Sequence, residues 1–380
     1  MMKKFFLTTT IAESLFFFKG QPQIWKEEFD VCAISSDLVK LREFADAEGI
    51  RYKHIPMMRE ISLFSDICSL VRLVWFFIKE KPYFVHGNTP KASLLSMLAA
   101  WITCRPVRIY MCHGLRYQGA KGVLRKLLMV MEWISCTCAT NVFCVSKGVS
   151  EIMVVDGLCN ASKIQVVGYG SAGGVDMDRF NPEKVESNIR NELCIPVDDF
   201  VFIFVGRVVG DKGVNELVAA FDEVSKEYVG IHLLLVGPVE SLQDPISEST
   251  IAIIESNPYI HSLGRKHDVR PYLKAADVFI LPSYREGFGM VLVEAGAMGL
   301  PCITTDITGC NEIIIEGKNG AIVPPKDTKA LFYQMKECCK NKRYVTGMAE
   351  NARQMVVERY DSQVVRSLYF EKYKSLTEDV

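Results

Sequence analysis

The chain has 380 residues, of which 49% are apolar and 23% are charged, and its formal net charge at pH 7 is −1. This length and composition are ordinary for a soluble α/β protein with two domains. No membrane-spanning helix is predicted, because the longest apolar stretch, residues 92–102, is shorter than the ~20 residues that cross a bilayer. The 13 cysteines are odd in number and form no CxxC pair, which indicates buried thiols in a reducing compartment.

The first half of the chain alternates apolar strands with helical stretches. The N-terminus has the lysines and phenylalanines of a signal peptide, but threonines and Glu13 interrupt it, and we interpret it as the first buried strand. The alternation predicts a parallel sheet covered by helices. The predicted strands span residues 3–9, 29–35, 51–56, 83–87, 107–112, 141–146 and 163–168.

A turn-rich segment, residues 168–199, separates this half from a second series of strands. The tail from Asp361 to about Thr377 has helical character. Ligands bind beyond the carboxyl ends of parallel strands, so two such sheets facing each other predict a cleft between the domains. The second series of predicted strands spans residues 201–206, 232–236, 259–263, 278–281, 301–304 and 321–323.

The near-zero net charge hides an asymmetry between the halves. Residues 1–180 hold 22 basic and 16 acidic residues, and the remainder holds 22 and 29. Between Arg51 and Lys126 there are 13 basic residues and three acidic ones, a patch that suits an anionic surface or acceptor. The stretches 66–81 and 121–135 mix basic with aromatic and aliphatic residues, as interfacial helices do, although such residues also serve as core of a doubly wound domain. No nucleic-acid recognition motif accompanies these charges, so nucleic acid is not predicted as a partner.

Two glutamates eight positions apart, Glu286 and Glu294, follow the strand predicted at residues 278–281. Gly287 and Gly289 leave backbone N–H groups unshielded where the next helix is predicted to begin, and a helix N-terminus binds phosphate groups. Glu286 is then expected near sugar hydroxyls, and Glu294, about 7 Å further along the helix, near ribose hydroxyls. Taken alone, this spacing more often marks a solvated loop glutamate followed by an amphipathic helix.

Two cations follow another buried strand, that of residues 201–206. Arg207 and Lys212 lie in the loop that precedes the next predicted helix, where they would neutralise a diphosphate leaving group. Singly, such an arginine is usually a surface ion-pair partner and a Lys-Gly pair is usually a turn. Together with the two glutamates they favour a sugar-nucleotide site.

A series of motifs covers most of residues 200–325. In order, they are Gly206-Arg207, Asp211-Lys212-Gly213, Leu234 to Gly237, Leu263-Gly264, Ala276-Asp277-Val278, Pro282-Ser283, Glu286 to Gly289, Glu294-Ala295 and Gly299 to Pro301. This series resembles the GT-B glycosyltransferases, specifically the retaining family 4. His113-Gly114, and Gly174-Val-Asp176 followed by Phe180, extend the resemblance into the first half.

The resemblance implies a GT-B fold, which is two Rossmann-like doubly wound parallel-sheet domains facing a cleft. Residues 1–175 would form the acceptor-binding domain and residues 176–360 the nucleotide-sugar-binding domain, while residues 361–380 form a helix that returns to the first domain. The implied activity is metal-independent, retaining transfer from a nucleoside diphosphate sugar, with UDP as the default, and no cofactor is expected. The residues implied in catalysis are Glu286, His113, Arg207 and Lys212, and those implied in donor binding are Arg207, Lys212, Gly287, Phe288, Gly289, Glu294 and Val269.

The first-half features around Lys19 and His113 resemble the bacterial subgroup that builds capsule, O-antigen and other lipid-linked glycans. The loop after the first strand departs from the family, because it lacks the Gly-Gly pair that many members carry. The implied acceptor is a membrane-bound polyprenyl-diphosphate saccharide, so the protein is expected to be cytoplasmic and peripheral on the inner face of the membrane. The acceptor candidates are Lys19, Gly20, Gln21 and Arg116.

Three other functions fit parts of the sequence. A glycosyltransferase that uses a small soluble acceptor has the same donor motifs. A hydrolysing UDP-N-acetylglucosamine 2-epimerase has the same two-domain fold, but it resembles these motifs less. A non-catalytic sugar-nucleotide-binding partner of a glycan-assembly complex would not need intact Arg207, Lys212, Glu286 and Glu294.

Overall fold

The structure is a computed structural model that describes residues 2–240 and 244–378. The chain divides into two compact units. The first contains the residues up to Gly173 together with those from Val365 onward, and the second is Gly174–Val364. The sequence-based domain bounds, the functions given to the domains and the cleft expected between them stay predictions.

The first unit is built on a parallel sheet of seven strands among the described residues, in the order β3-β2-β1-β4-β5-β6-β7. Phe5 and Phe6 of the first strand point to opposite faces of the sheet and are both fully buried, as expected for a parallel sheet covered on both sides. The strands are β1 (Lys3–Thr8), β2 (Phe29–Ser35), β3 (Arg51–His54), β4 (Phe84–Gly87), β5 (Val107–Cys112), β6 (Asn141–Cys144) and β7 (Ile164–Val166).

Helices cover both faces of this sheet. They are α1 (Gln21–Trp25), α2 (Leu38–Glu48), α3 (Leu63–Glu80), α4 (Pro90–Ile102), α5 (Gly122–Cys138) and α6 (Lys147–Val155), with 3₁₀ turns at Ala12–Phe18, Arg116–Gly119 and Ala161–Lys163. The helix α4 packs against both α3 and α5. The last helix, α14 (Ser362–Ser375), gives the unit Tyr373, whose ring packs edge-on against Phe5 and whose hydroxyl lies 3.0 Å from His86 Nε2.

The second unit repeats the plan with six parallel strands, within the described part of the chain, in the order β10-β9-β8-β11-β12-β13. The strands are β8 (Phe200–Val205), β9 (Ile231–Val236), β10 (Ile260–Gly264), β11 (Val278–Leu281), β12 (Cys302–Thr305) and β13 (Gly320–Val323). The helices are α7 (Ile189–Glu192), α8 (Val214–Glu227), α9 (Glu248–Ser256), α10 (Arg270–Lys274), α11 (Met290–Ala297), α12 (Thr328–Lys340) and α13 (Lys342–Tyr360), with a 3₁₀ turn at Gly210–Lys212.

These observations confirm the predicted α/β class with two Rossmann-like parallel sheets. Each predicted strand is present, and its bounds differ from the prediction by no more than two residues. The stretches predicted as helices with mixed basic and apolar composition are α3 and α5. No helix in the described residues is long and apolar enough to cross a membrane.

Candidate active site

The predicted cations and Glu286 follow two strands that lie side by side. Strands β8 and β11 are neighbours in the second sheet, and both run in the same direction. Arg207 and Lys212 come after β8, and Glu286 comes after β11, so the sheet brings the three residues to one edge. Lys212 Nζ lies 2.5 Å from Glu286 Oε1. Lys212 and Glu286, which the sequence analysis assigned to one sugar-nucleotide site, are therefore in direct contact in the structure.

Backbone contacts hold the two loops together. The N–H of Tyr284 donates to the carbonyl of Asp211 at 2.9 Å. Gly213 has a φ of +69°, and a Cβ built on it would lie 2.0 Å from the carbonyl oxygen of Pro282. Glycine is required here both by the left-handed conformation and by the close approach of the second loop. The position of Lys212 is thus fixed by the residue that follows it.

The Lys212–Glu286 pair is largely withdrawn from water. The two side chains are 21% and 15% exposed, respectively. Removing one partner of such a pair leaves a poorly solvated charge, so each side chain depends on the other or on a ligand charge. The arrangement can present a cation to a diphosphate and a carboxylate to sugar hydroxyls at the same place.

Arg207 is more exposed and has a different partner. Its Nη1 lies 2.9 Å from Glu240 Oε2, and the two side chains are 44% and 33% exposed. Glu240 comes from the loop after β9. It was not among the site residues predicted from the sequence. The signal for it was the adjacency of β8 and β9, because the loops after neighbouring parallel strands meet.

Glu294 lies in α11, four residues after the start of that helix. Its side chain is half-buried, and burial raises the pKa of the carboxyl to about 7, while the charge of Arg179 acts in the opposite direction. A carboxyl of this kind is partly protonated at neutral pH. Its predicted contact with ribose hydroxyls stays a prediction.

The start of α11 differs from the expectation. The N–H of Gly289, which was expected to face a diphosphate, donates to the carbonyl of Gly309 at 2.9 Å. Gly309 approaches so closely that a Cβ on it would lie 2.6 Å from the carbonyl oxygen of Gly287. The Phe288 ring packs edge-on against Tyr360, with the ring centroids 5.5 Å apart. The expectation of an open Gly289 N–H is wrong for this structure, because a later loop already uses that donor.

Val269 precedes α10, where its carbonyl accepts hydrogen bonds from the N–H groups of Tyr272 and Leu273 at 3.1 and 3.0 Å. Its side chain is half-buried. The segment therefore has a fixed backbone at the end of β10. Its role beside the nucleotide base stays a prediction.

In the first unit, His113 follows β5 and is half-buried. Its ring stacks on Phe17 with a centroid distance of 5.5 Å. Burial lowers the pKa of His113 to about 4, so the imidazole is neutral near pH 7. A neutral ring can donate one hydrogen bond to a sugar hydroxyl and accept another from one. Arg116 begins the following 3₁₀ turn and is exposed.

The acceptor candidates after β1 differ in accessibility. Lys19 is exposed, whereas the N–H of Gly20 donates to Glu48 Oε1 at 2.8 Å. Gln21 is fully buried, and its Nε2 donates to the carbonyl of Ala172 at 2.8 Å. The expectation that Gln21 contacts an acceptor is not supported, because its side chain is used within the unit. Among the described residues, no group of three or more His, Cys, Asp or Glu side chains is placed to hold a metal ion.

Comparison with known proteins identifies the family. The model for glycosyl transferases group 1 matches residues 185–355, and the model for glycosyltransferase family 4 matches residues 27–171. The capsular polysaccharide biosynthesis glycosyltransferase CapM of Staphylococcus aureus is 34% identical over 366 residues, which cover 96% of this chain and 94% of CapM. The chain belongs to glycosyltransferase family 4.

This family 4 glycosyltransferase has further relatives among enzymes with lipid-linked acceptors. The UDP-Gal:alpha-D-GlcNAc-diphosphoundecaprenol alpha-1,3-galactosyltransferase of Escherichia coli is 27% identical, over 88% of this chain and 86% of the relative. Among solved structures, a glycosyltransferase from Rickettsia africae has a TM-score of 0.81 at 19% identity and covers 100% of both chains. HepE from Anabaena, solved in complex with UDP, has a TM-score of 0.78 at 18% identity, over 98% of this chain and 100% of HepE. The fold is that of the GT-B glycosyltransferases.

Proposed function

We propose that this family 4 glycosyltransferase moves a hexose or N-acetylhexosamine from a nucleoside diphosphate sugar to a polyprenyl-diphosphate-linked saccharide. The transfer retains the anomeric configuration, needs no metal ion and serves bacterial surface polysaccharide synthesis. The observation that carries the proposal is the Lys212–Glu286 pair at the ends of two neighbouring strands. The relatives from Staphylococcus aureus and Escherichia coli support the class, because one is named for capsule synthesis and the other for a UDP-sugar and a diphosphoundecaprenol acceptor.

The donor end of the proposed reaction is mainly electrostatic. As the bond between the sugar and the diphosphate lengthens, negative charge grows on the diphosphate, and Lys212 and Arg207 stabilise it. Glu286 orients the sugar through its hydroxyls and favours positive charge at the anomeric carbon. Glu294 accepts hydrogen bonds from the ribose. UDP is the default nucleotide of this proposal.

The acceptor end is proposed for the first unit, which carries an unusual surface. Apolar side chains lie exposed on the outer sides of α3 and α5, and two further ones lie at the end of α4. Phe64 is 83% exposed and Trp75 is 62% exposed. We name this surface the outer apolar face, and it consists of Leu63, Phe64, Ile67, Val71, Trp75, Ile78, Trp101, Ile102, Val123, Leu124, Leu127, Val130 and Trp133.

On α3 and α5 the acidic and basic side chains differ in where they point. The acidic side chains are turned inward: Asp66 pairs with Lys91 at 2.8 Å, and Glu80 pairs with Lys4 at 2.9 Å. The third, Glu132, is buried and bonded to the hydroxyl of Tyr110. The exposed charges of the same helices are basic, namely Arg72, Lys79, Arg125 and Lys126.

Exposed apolar side chains that include tryptophan, with basic residues around them, are typical of a surface that binds anionic lipid headgroups. Aromatic rings of this kind sit at the boundary between headgroups and acyl chains. We therefore propose that the outer apolar face rests on the cytoplasmic leaflet of the membrane. This position would give the enzyme access to a lipid-linked acceptor.

Nucleoside diphosphate release tests the reaction. Purified enzyme is given a panel of UDP- and GDP-sugars, with and without polyprenyl-diphosphate sugars, alongside Lys212→Ala and Glu286→Ala. Lys226→Ala, in an exposed ion pair on α8, is the matched control. We expect acceptor-dependent release with one donor, lost in both site variants and kept in the control.

Other outcomes favour the alternatives. Release that requires a sugar phosphate and ignores lipid-linked acceptors would indicate a soluble acceptor. Nucleotide binding without any release would indicate a non-catalytic partner. A free epimerised sugar formed without acceptor would indicate an epimerase.

Vesicle sedimentation tests the membrane contact separately. We expect binding to vesicles that contain phosphatidylglycerol, weaker binding to phosphatidylcholine, and a loss of roughly 10-fold or more in the Trp75→Glu, Trp133→Glu double variant. Tyr333→Glu together with Val229→Glu, two exposed apolar sites of the second unit, is the control. Equal binding by the site and control variants would contradict the assignment of this surface.

A further inference from the structure

The contact between Arg207 and Glu240 is held by the backbone on both sides. Beyond the ends of β8 and β9 the two loops stay paired, because the N–H of Val208 donates to the carbonyl of Pro238 at 2.9 Å. Val208 and Val239 form an isolated parallel bridge. Gly237 lies so close that a Cβ on it would be 1.7 Å from the carbonyl oxygen of Gly206. Glu240 is therefore placed beside Arg207 by the sheet and not by a flexible surface loop alone.

The same loop also contacts the backbone of the 3₁₀ turn Gly210–Lys212. The N–H of Gly210 donates to the carbonyl of Asp244 at 2.9 Å, and the N–H of Asp211 donates to Asp244 Oδ2 at 2.5 Å. Arg285, from the loop after β11, pairs with Asp211 at 2.9 Å. At this edge of the sheet, Arg207, Lys212 and Arg285 are thus each already paired with a carboxylate.

The two predicted diphosphate cations differ in what their carboxylate partner can do. Glu286, the partner of Lys212, has a proposed place beside the donor sugar, so it remains useful when a donor binds. The proposed function gives Glu240 no contact with the donor. A diphosphate that approaches Arg207 meets a guanidinium already bonded to an anion, and two anions on one cation repel each other.

We propose that Glu240 is a competing carboxylate, which holds Arg207 in the ligand-free enzyme and gives it up to the diphosphate of the donor. It thereby weakens the binding of nucleoside diphosphates and speeds release of the nucleotide product. The inference rests on the proposed function, because it takes Arg207 as a diphosphate ligand. It adds a residue that sets how long the product stays bound.

Calorimetric titration with UDP, and in parallel with GDP, tests this inference on the full-length protein. We expect Glu240→Gln to bind UDP roughly 3- to 10-fold more tightly than wild type, since an exposed ion pair is of modest strength. Inhibition by added UDP should strengthen by the same factor. Glu227→Gln, which removes the same charge from an exposed ion pair with Lys336 at the far end of α8, is the control and should leave affinity unchanged.

A second comparison separates competition from a structural effect. In an Arg207→Ala background, addition of Glu240→Gln should no longer change the affinity for UDP, because the shared guanidinium is gone. Thermal unfolding of each variant checks that the fold is intact. Weaker binding in Glu240→Gln would overturn the inference and make Glu240 a positioning residue for Arg207.

The failure of the inference and that of the proposed function give different results. If wild type binds UDP or GDP and Glu240→Gln matches Glu227→Gln, the competition is refuted and the proposed function stands. If wild type binds neither nucleotide, the donor site itself is refuted, and the role of Glu240 falls with it.

Discussion

The carboxyl edges of the two sheets share one architecture but carry different chemistry. In the second unit this edge has side chains of opposite charge held in pairs, Arg207 with Glu240 and Lys212 with Glu286. In the first unit the corresponding edge has a neutral histidine, His113, stacked on Phe17, and a hydroxyl pair between Thr10 and Thr89. The first kind of edge suits a diphosphate, and the second suits an uncharged saccharide. A repeated fold therefore does not imply a repeated ligand, because loops and not strands supply the contacts.

The largest expected effect is at Lys212. We expect Lys212→Ala to lower kcat/KM by about 100- to 1,000-fold, because a group that stabilises developing charge on a leaving diphosphate acts mainly in the transition state. Initial rates over a range of donor concentrations measure this. Lys226→Ala should keep normal rates, and a loss of less than about threefold in Lys212→Ala would place the diphosphate elsewhere.

The next effect concerns the contact between the two loops of the second unit. Gly213→Ala should lower the free energy of unfolding by about 2–4 kcal/mol, because it adds a Cβ at a positive φ against the Pro282 carbonyl. Urea unfolding measures this. Gly347→Ala, in the middle of α13 with open space around it, should instead be neutral or stabilise by up to ~1 kcal/mol. Equal effects at the two glycines would show that the loops are not held together as described.

A smaller effect links Glu294 to pH. Burial raises its pKa to about 7 from an ordinary value of 4.5, so between these pH values the folded protein binds more protons than the unfolded chain. The contribution of Glu294 to the free energy of unfolding is therefore largest below pH 4.5. This contribution is lost as the pH rises towards 7. Relative to wild type, Glu294→Gln should gain up to ~3 kcal/mol of stability across this window, measured by urea unfolding at several pH values. A difference that stays constant with pH would contradict the raised pKa.

The smallest expected effect is at His113, where burial lowers the pKa to about 4. The imidazole stays neutral from pH 6 to 8, so its protonation should not shape the pH–rate profile in that range. His113→Asn, which keeps a hydrogen-bonding group, should retain more activity than His113→Ala, for which we expect a loss of roughly 10-fold. A rate that follows the titration of His113 near neutral pH would show that this edge is charged after all.

The prediction of the strands succeeded where apolar runs are bounded by turn residues. The run Val278–Leu281, closed by Pro282 and Ser283, is a buried strand as expected. Lys212 and Glu286 could be assigned to one site from the sequence, because each follows such a strand and ligands bind beyond the carboxyl ends of parallel strands. Gln21 and the N–H of Gly289 could not be placed, because their partners, Ala172 and Gly309, come from distant parts of the chain.

By itself, the sequence determined the class of fold, the order of its elements and the residues that follow the strands of the second unit. These depend on hydrophobic periodicity and on local turn chemistry, which act over a few residues. Only the tertiary structure decided that Glu240 meets Arg207, and that the apolar residues of α3 divide between core and surface, with Leu73 buried and Trp75 exposed. Such decisions depend on which loops and helices become neighbours, and that is set by packing of the whole unit.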